Sequence, residues 1–320
     1  MTRLGPPSKV ASMAKDRKIA GVGRPRRYAL SGASLDAPPL AAGLYLVATP
    51  IGNLRDISLR ALETLAAADV IACEDSRVTR KLAEHYGIAT PLTLYHEHNA
   101  AEARPKLLAR LGEGQAVALV SDAGTPLISD PGYKLVREAV DAGFTVIPMP
   151  GASAVLTALG AAGLPTDRFF FEGFLPPKQA ARQKRIAALA AIPATLVLFE
   201  SGPRLPAALA DLAAGLGPRS AAICRELTKL HEEIRRDDLE SLARHYEAGG
   251  ETRGEIVIVV APPADNAEKA DDVDDLLRRA LTRVSVKDAV GEVALATGRP
   301  RREVYQRALA LAKDNGDGAA

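Results

Sequence analysis

The chain contains few aromatic residues and few cysteines. Only 4% of its 320 residues are Phe, Trp or Tyr, and Trp is absent. A row of exposed aromatic rings on which unpaired bases stack is therefore disfavoured as a mode of nucleic-acid binding. The two cysteines, Cys73 and Cys224, both lie in apolar runs. This pattern predicts two buried thiols and excludes a disulfide framework or a cysteine-based metal site.

Long hydrophobic runs and standard nucleotide fingerprints are also missing. No apolar run approaches the ~18 residues that a membrane-spanning helix needs, and the basic N-terminus lacks the apolar core of a secretory signal. These absences predict a cytoplasmic protein without a membrane segment. No strand-like run leads into GxGxxG or GxxxxGK, which disfavours a dinucleotide or P-loop site.

The hydrophobic pattern indicates an α/β protein with several parts. Residues 1–42 are rich in Gly, Pro and Arg and predict a disordered basic leader. Residues 43–165 alternate apolar strands with helices, which predicts a parallel sheet covered on both faces. Residues 166–263 place strands next to each other and predict a mixed sheet. Residues 271–313 hold only helical patterns around a TGRP turn, where Gly298 suits a helix end, and predict a small helix-turn-helix-like domain.

Charge is unevenly distributed along the chain, although the net charge is only +2. Residues 1–30 hold eight Lys or Arg against one Asp, and residues 276–307 hold eight against three acidic residues. Two interpretations stay open for each basic segment. It contacts a polyanion, or it is a tail or helix face surrounded by solvent.

Three loops rich in Pro or Gly follow strand-like runs, namely ATPIGNLRD at 48–56, VSDAGTPLISDPG at 120–132 and PGAS at 150–153. Each alone is compatible with an ordinary turn. Because the carboxyl ends of parallel strands meet at one sheet edge, together they predict a shared ligand cleft. The loops offer backbone and small residues, while Asp122 and Asp130 suit hydroxyls or a cationic centre. S-adenosylmethionine fits this description.

Polar groups follow two neighbouring strand-like runs. In ACEDSRVTR, Glu74 and Asp75 could accept a proton while Arg77 holds the acceptor, or Asp75 could simply cap the next helix. In YHEHN, His96 and Asn99 predict hydrogen bonds to substrate. A metal site is not predicted, because no third ligand accompanies the histidines.

Two features stand out in the second predicted domain. In FESGPR, Glu200 and Arg204 end a strand and form either part of a site or a surface pair. A basic helix begins after EGFLPPK and either lines a channel for an anionic polymer or faces water. The basic residues concerned are Lys178, which immediately precedes the helix, and Arg182, Lys184 and Arg185 within it.

The motifs ATPIGN, SDAGTPLISDPG and EGFLPPK, together with IACEDSRVTRKL, VIPMPGASAVLTAL and LFESGPRL, resemble the tetrapyrrole methylase superfamily of S-adenosylmethionine-dependent enzymes. Within it, the chain is most similar to the branch that methylates the 2′-hydroxyl of a cytidine in ribosomal RNA. The similarity spans about residues 44–261, the C-terminal helices resemble the helical domain appended in that branch, and residues 1–40 lie outside it. The resemblance implies two α/β domains with the cofactor in the cleft between them.

The resemblance also implies a cofactor, a partner and a set of contacts. The cofactor is S-adenosylmethionine, the substrate is 16S rRNA in the small ribosomal subunit, and the protein is a homodimer. The implied cofactor contacts are Pro50, Asp122, Ala123, Gly124, Thr125, Ile128, Gly151, Ala152, Ser153 and Phe174.

The acceptor hydroxyl needs a general base, for which we consider Asp75, Glu74 and Glu200, in that order. The substrate-binding candidates are Arg77, His96, Asn99, Lys178 and Arg204. Two alternatives stay open. A tetrapyrrole C-methyltransferase would not need the basic helices at 276–307, and a non-catalytic RNA-binding protein on the same fold would not bind the cofactor.

Overall fold

The computed structural model describes residues 26–263, 268–297 and 299–314. The strands are β1 Arg27–Leu30, β2 Ala33–Asp36, β3 Gly43–Val47, β4 Val70–Cys73, β5 Leu92–Leu94, β6 Ala116–Leu119, β7 Val146–Met149, β8 Phe169–Phe174, β9 Thr195–Ser201, β10 Ser220–Arg225, β11 Glu233–Asp238 and β12 Glu255–Val260. The helices are α1 Leu59–Ala67, α2 Ser76–His85, α3 Ala100–Gly112, α4 Tyr133–Asp141, α5 Ala154–Ala162, α6 Gln179–Leu189, α7 Leu205–Leu216, α8 Leu239–Ala248, α9 Glu268–Leu281, α10 Val286–Thr297 and α11 Arg301–Asp314. Contacts divide the chain into two units after Ala152.

The first unit contains a five-stranded sheet in the order β5-β4-β6-β3-β7, and all of its pairings are parallel. Successive residues of a strand point to opposite faces. Ile71 therefore packs in one core with α1 and α2, while Val70 packs in a second core with α3 and α4. Every residue of β4 and β6 is buried. The predicted parallel sheet with helices on both faces is confirmed.

A β-hairpin precedes this sheet. Strands β1 and β2 pair antiparallel, and Tyr28 is buried in the core formed with α1 and α2. The amide of Ala29 donates to the carbonyl of Tyr86 at 2.7 Å, and Arg26 pairs with Asp69 at 2.8 Å. The interpretation of residues 1–42 as a disordered leader was therefore wrong for residues 27–36, because one aromatic side chain and these bonds anchor the hairpin. Residues 1–25 lie outside the described residues.

The second unit contains a five-stranded sheet in the order β11-β10-β12-β9-β8. Only β8 and β9 are parallel, so the predicted mixed sheet is confirmed. Its larger core is formed with α6, α7 and α8. Helix α5 contacts β10 and β12, which assigns it to this sheet and makes the division after Ala152 differ from the predicted boundary at residue 165.

The C-terminal helices α9, α10 and α11 pack around a core of their own, which includes Leu277, Val293 and Val304. Arg307 on α11 donates two hydrogen bonds, of 2.6 Å and 2.7 Å, to the largely buried Asp274 on α9. The helical character predicted for residues 271–313 is confirmed, although Gly298 lies outside the described residues. Throughout the described part of the chain, no helix combines the length and the apolar character needed to cross a membrane.

Candidate active site

The three Pro/Gly loops of the first unit contact one another at the carboxyl ends of the strands. Thr49 and Gly124 exchange two backbone hydrogen bonds of 2.9 Å. The Thr49 hydroxyl also donates to the Ser121 carbonyl at 3.2 Å, and the Thr125 hydroxyl donates to the Ala152 carbonyl at 3.2 Å. Loops 48–56 and 120–132 therefore converge as predicted with residues 150–152 of the predicted 150–153 loop, and the shared ligand cleft stays a prediction.

Glycine is required where these loops approach closely. A Cβ atom on Gly151 would lie 2.9 Å from the Cβ of Ala48. Gly124 has a φ of +79°, and a Cβ there would lie 3.3 Å from Ile51. Leu127 and Ser129 also adopt positive φ values, 78° and 61°. Such backbone strain is concentrated at functional sites, where the surrounding structure maintains it.

Three carboxyl groups, Glu74, Asp122 and Asp130, cluster beside these loops. Burial is the largest cause of a raised pKa in all three. The pKa of Asp130 rises to about 6, with the charge of Glu74 as the next cause. Asp122 also accepts a 3.0 Å hydrogen bond from the Asp75 amide, which joins the end of β4 to the 120–132 loop. The site therefore holds several partly buried negative charges that favour protons or a cation.

Asp75 differs from its neighbour Glu74. Its side chain caps α2 by accepting from the Arg77 amide at 2.8 Å, and the Arg77 guanidinium donates to both of its oxygens. These hydrogen bonds lower the pKa of Asp75 to about 2. The Arg77 side chain is 87% exposed. Asp75 therefore caps the helix, as one of the two interpretations predicted. Its catalytic role stays a prediction.

The YHEHN segment forms a tight turn after β5. The Asn99 amide oxygen accepts from the His96 backbone amide at 2.8 Å, and its nitrogen donates to the Leu94 carbonyl at 3.1 Å. Asn99 thus stabilises its own loop. The Nδ1 atom of His96 is buried and has no hydrogen-bond partner among the described residues. The charge of His96 acts to lower the pKa of the Glu74 carboxyl. The roles of His96 and Asn99 in substrate binding stay predictions.

Glu200 and Arg204 lie at the end of β9 in the second unit. Glu200 is only 3% exposed, accepts a 2.8 Å hydrogen bond from the Ser201 amide and pairs with Arg204 at 3.2 Å. Arg204 also donates to the Leu175 carbonyl at 2.6 Å. The second carboxylate oxygen of Glu200 has no partner among the described residues. The interpretation as a simple surface pair is wrong for Glu200, because the carboxylate is buried.

The basic helix α6 is only partly available to an anion. Arg182 is buried and pairs with the buried Asp211 at 2.6 Å, so it neither lines a channel nor faces water. Arg185 pairs with Glu172 at 2.6 Å. Within the described residues, Lys178 and Lys184 are exposed and form no ion pair. The predicted anion-binding role is therefore contradicted for Arg182 and stays a prediction for Lys178.

The predicted cofactor residues are divided between the two units. Those in the first unit are Pro50, Asp122, Ala123, Gly124, Thr125, Ile128, Gly151 and Ala152. In the second unit, Ser153 caps α5 by accepting from the Leu156 amide at 3.4 Å. Phe174 is exposed at the end of β8 with its ring edge-to-face on Phe199. Both residues thus have local contacts of their own.

The sequence placed Asp130 in the predicted ligand cleft, but Asp130 was not among the residues given a catalytic or binding role. Its carboxyl is partly buried beside Glu74, and its position four residues after Pro126 in a strained turn was the available signal. Across residues 26–263, 268–297 and 299–314, no three His, Cys, Asp or Glu side chains are placed to hold an ion.

Comparison with known proteins defines the class of this molecule. Residues 43–243 match the family described as Tetrapyrrole (Corrin/Porphyrin) Methylases. The fold agrees with solved structures of cobalt precorrin-4 methyltransferase (TM-score 0.52, 20% identity, 68% of this chain and 94% of that chain) and diphthine synthase (TM-score 0.53, 22% identity, 68% and 89%). The chain belongs to the tetrapyrrole methylase family.

Relatives with higher sequence identity assign the chain to one branch of this family. A protein from Mesorhizobium japonicum is 54% identical over 89% of this chain and 97% of the relative, and one from Escherichia coli O157:H7 is 46% identical over 83% and 94%. Both carry the name ribosomal RNA small subunit methyltransferase I. Residues 267–312 match the family described as RsmI C-terminal HTH domain. Within the tetrapyrrole methylases, the chain therefore falls in the small subunit methyltransferase I branch.

Proposed function

We propose that this chain transfers a methyl group from S-adenosylmethionine to the ribose 2′-hydroxyl of a cytidine in 16S rRNA of the small ribosomal subunit. The observation that carries the proposal is the contact of three strand-end loops beside the Glu74, Asp122 and Asp130 carboxyls. The names of the relatives supply the ribosomal substrate. The resemblance described above supplies the cytidine and the 2′-hydroxyl.

The residues at the loop contacts fit this cofactor. Gly151 is exposed where it lies close to Ala48, so a ligand can approach its main-chain groups, and the buried Gly124 lets its loop pack closely on Ile51. The Asp122 carboxylate can accept hydrogen bonds from a ribose diol, and negative charge in the cluster favours a sulfonium cation. When bound, the cofactor supplies a methyl group already activated for transfer. The protein's own task is to orient the acceptor and remove its proton.

We assign proton removal to Glu74 rather than to Asp75. Glu74 has a pKa raised by burial and by the charge of Asp122, so it accepts a proton more readily than an ordinary carboxylate. Asp75 has a pKa of about 2, and both of its oxygens already accept from Arg77. A general base works best when its pKa lies close to the working pH. The order of the two candidates is therefore reversed from that given by the sequence.

Asp75→Asn is expected to retain methyl transfer close to that of the natural chain. Asn caps helices as well as Asp does, so the bond from the Arg77 amide persists, and only an exposed ion pair is lost. Single-turnover methylation of purified small subunits, together with a thermal unfolding curve, measures both effects. Loss of methylation with an unchanged unfolding midpoint would return Asp75 to the role of base.

Gly151→Ala is expected to weaken cofactor binding roughly tenfold, because overpacking at such a contact costs about 1–3 kcal/mol. The added Cβ would force the 150–152 loop away from Ala48. Isothermal titration calorimetry with S-adenosylmethionine measures the affinity. Gly160→Ala is the matched control, because a Cβ at that helical position meets no atom within 4 Å. Equal affinities for the two variants would show that the loop contact is not part of the cofactor site.

The decisive experiment supplies methyl-labelled S-adenosylmethionine and small subunits from cells that lack this enzyme. The expected product carries label on the ribose of one cytidine, which makes the adjacent phosphodiester resistant to alkali. Label on a base, or no label on RNA, would contradict the proposal. A failure to bind the cofactor in calorimetry would instead favour a non-catalytic RNA-binding protein, and label transfer to a tetrapyrrole would favour the C-methyltransferase alternative.

The proposal also includes a homodimer and a cytoplasmic location. The dimer follows from the resemblance. The cytoplasmic location is supported by the ribosomal substrate, because the enzyme needs access to the compartment where subunits are assembled. Sedimentation of the purified chain at micromolar concentration tests the dimer directly.

A further inference from the structure

A groove crosses the C-terminal bundle where the first turns of α10 and α11 face each other. Its volume is about 500 Å³. Lys287 lines one wall, Arg301, Arg302 and Tyr305 line the other, and Gly291 lies between them. All three cationic side chains belong to exposed residues.

The acidic neighbours offset only part of the positive charge of this groove. Asp288 lines it and keeps its negative charge while it accepts from the Ser285 hydroxyl at 2.7 Å. Glu292 lines it too, but pairs with Arg283 at 3.3 Å. By contrast, Lys287, Arg301 and Arg302 form no ion pair with any described residue. The groove therefore presents three unpaired cations on a bundle whose other basic residues are partly paired, as Arg307 is with Asp274.

The beginning of α11 adds two further properties. The Pro300 carbonyl accepts from the amides of Glu303 and Val304, which leaves the preceding amides of the helix without an intrahelical acceptor. These amides and the helix dipole attract an anion to the same end as the two arginines. Tyr305 lies one helical turn after Arg301, is 47% exposed, and offers a flat ring on the same face.

We propose that this groove binds the sugar–phosphate backbone of ribosomal RNA and thereby anchors the substrate. The inference rests on the proposed function, because it takes the RNA to be that of the small subunit. Two adjacent guanidinium groups match the paired oxygens of successive phosphates, and the tyrosine ring can lie against a ribose or base. An acidic protein segment would match the charge, but would make less use of the two guanidinium forks and the exposed ring.

The test compares two double variants of the full chain that remove the same charge. R301Q/R302Q alters the groove, whereas R278Q/R279Q alters exposed arginines on α9 that do not line it. Binding to protein-free 16S rRNA and to purified small subunits is measured at several KCl concentrations. We expect the groove variant to bind both roughly tenfold more weakly and to lower the slope of log affinity against log salt by about 2, while the α9 variant changes little.

A third variant separates charge from shape. Gly291→Leu leaves the charge unchanged but places a side chain in the groove, since its Cβ would lie 3.5 Å from an Arg301 nitrogen. It is also expected to weaken RNA binding, with an unchanged thermal unfolding midpoint. Equal weakening by the two double variants would overturn the proposal in favour of a non-specific charge effect. Weakened binding to subunits but not to naked rRNA would overturn it in favour of a protein partner.

The failure of this inference is distinguishable from failure of the proposed function. Calorimetry with S-adenosylmethionine and the methylation assay report on the proposed function, and the RNA-binding curves report on the groove. If the natural chain binds rRNA through the groove but methylates no ribose, only the proposed function fails. If it methylates the ribose and all variants bind RNA equally, only the groove assignment fails.

Discussion

Glu74→Gln is expected to lower the single-turnover rate of methyl transfer by about 10²–10⁴-fold, the usual contribution of a general base. Gln has nearly the same shape as Glu but cannot accept the proton of a ribose hydroxyl. Because it removes one partly buried negative charge from beside Asp122 and Asp130, the folded chain should lose no stability. RNA affinity should also stay unchanged, so that the effect falls on the rate rather than on substrate saturation.

The pH dependence supplies an independent check of this assignment. Glu74 acts as a base only when it is deprotonated, so the rate should rise with pH through its raised pKa and then level off. In Glu74→Gln this acid limb should disappear from the residual rate. Asp75→Asn, which alters the adjacent carboxyl, should retain the limb. If Glu74→Gln keeps the full rate, or if only Asp75→Asn removes the limb, Glu74 is not the base.

Asp211→Ala is expected to destabilise the second unit by about 3–5 kcal/mol, the cost of leaving one member of a buried ion pair uncompensated. Both side chains of the pair are less than a tenth exposed. Burial opposes ionisation of Asp211, but hydrogen bonds from Gln183, Arg182 and Gln179 outweigh it and lower the pKa of the carboxyl. Without Asp211, the side chain of the buried Arg182 keeps, among the described residues, only a 3.3 Å hydrogen bond to the Pro177 carbonyl.

The matched control replaces both partners by apolar residues of similar size, Arg182→Met with Asp211→Leu. This double variant should recover most of the lost stability, because no charge remains buried without a partner. Urea denaturation followed by circular dichroism measures the difference. Equal destabilisation by Asp211→Ala and by the double variant would indicate that packing at this position, and not the pair, determines the stability.

The sheets could be predicted from the sequence because their strands have a strong local signal. Runs such as VIAC and AVAL are apolar at every position, which is typical of short strands covered on both faces. The convergence of the loops that follow these strands was also predictable, because parallel strands all end at the same edge of the sheet.

Features that depend on a single distant partner could not be predicted in this way. Arg182 looks like a solvent-exposed helical cation until Asp211, far along the chain, is placed beside it. The β1–β2 hairpin contributes one fully packed side chain, Tyr28, within a stretch rich in Gly, Pro and Arg. The contrast between Glu74 and Asp75 likewise depends on which carboxyl receives the Arg77 guanidinium, a matter of side-chain geometry and not of composition.

The two outer strands of the second sheet bear on how this protein avoids self-association at high concentration. Unpaired strand edges recruit strands of other molecules and lead to aggregation. On one side, β11 carries the sequence EIRRDD, whose charged side chains disfavour pairing with an incoming apolar strand. On the other, β8 is aromatic, but a bulge between Phe171 and Gly173 interrupts its regular register. Strand pairing between molecules is thus disfavoured at both margins of this sheet, by charge at one and by irregular backbone at the other.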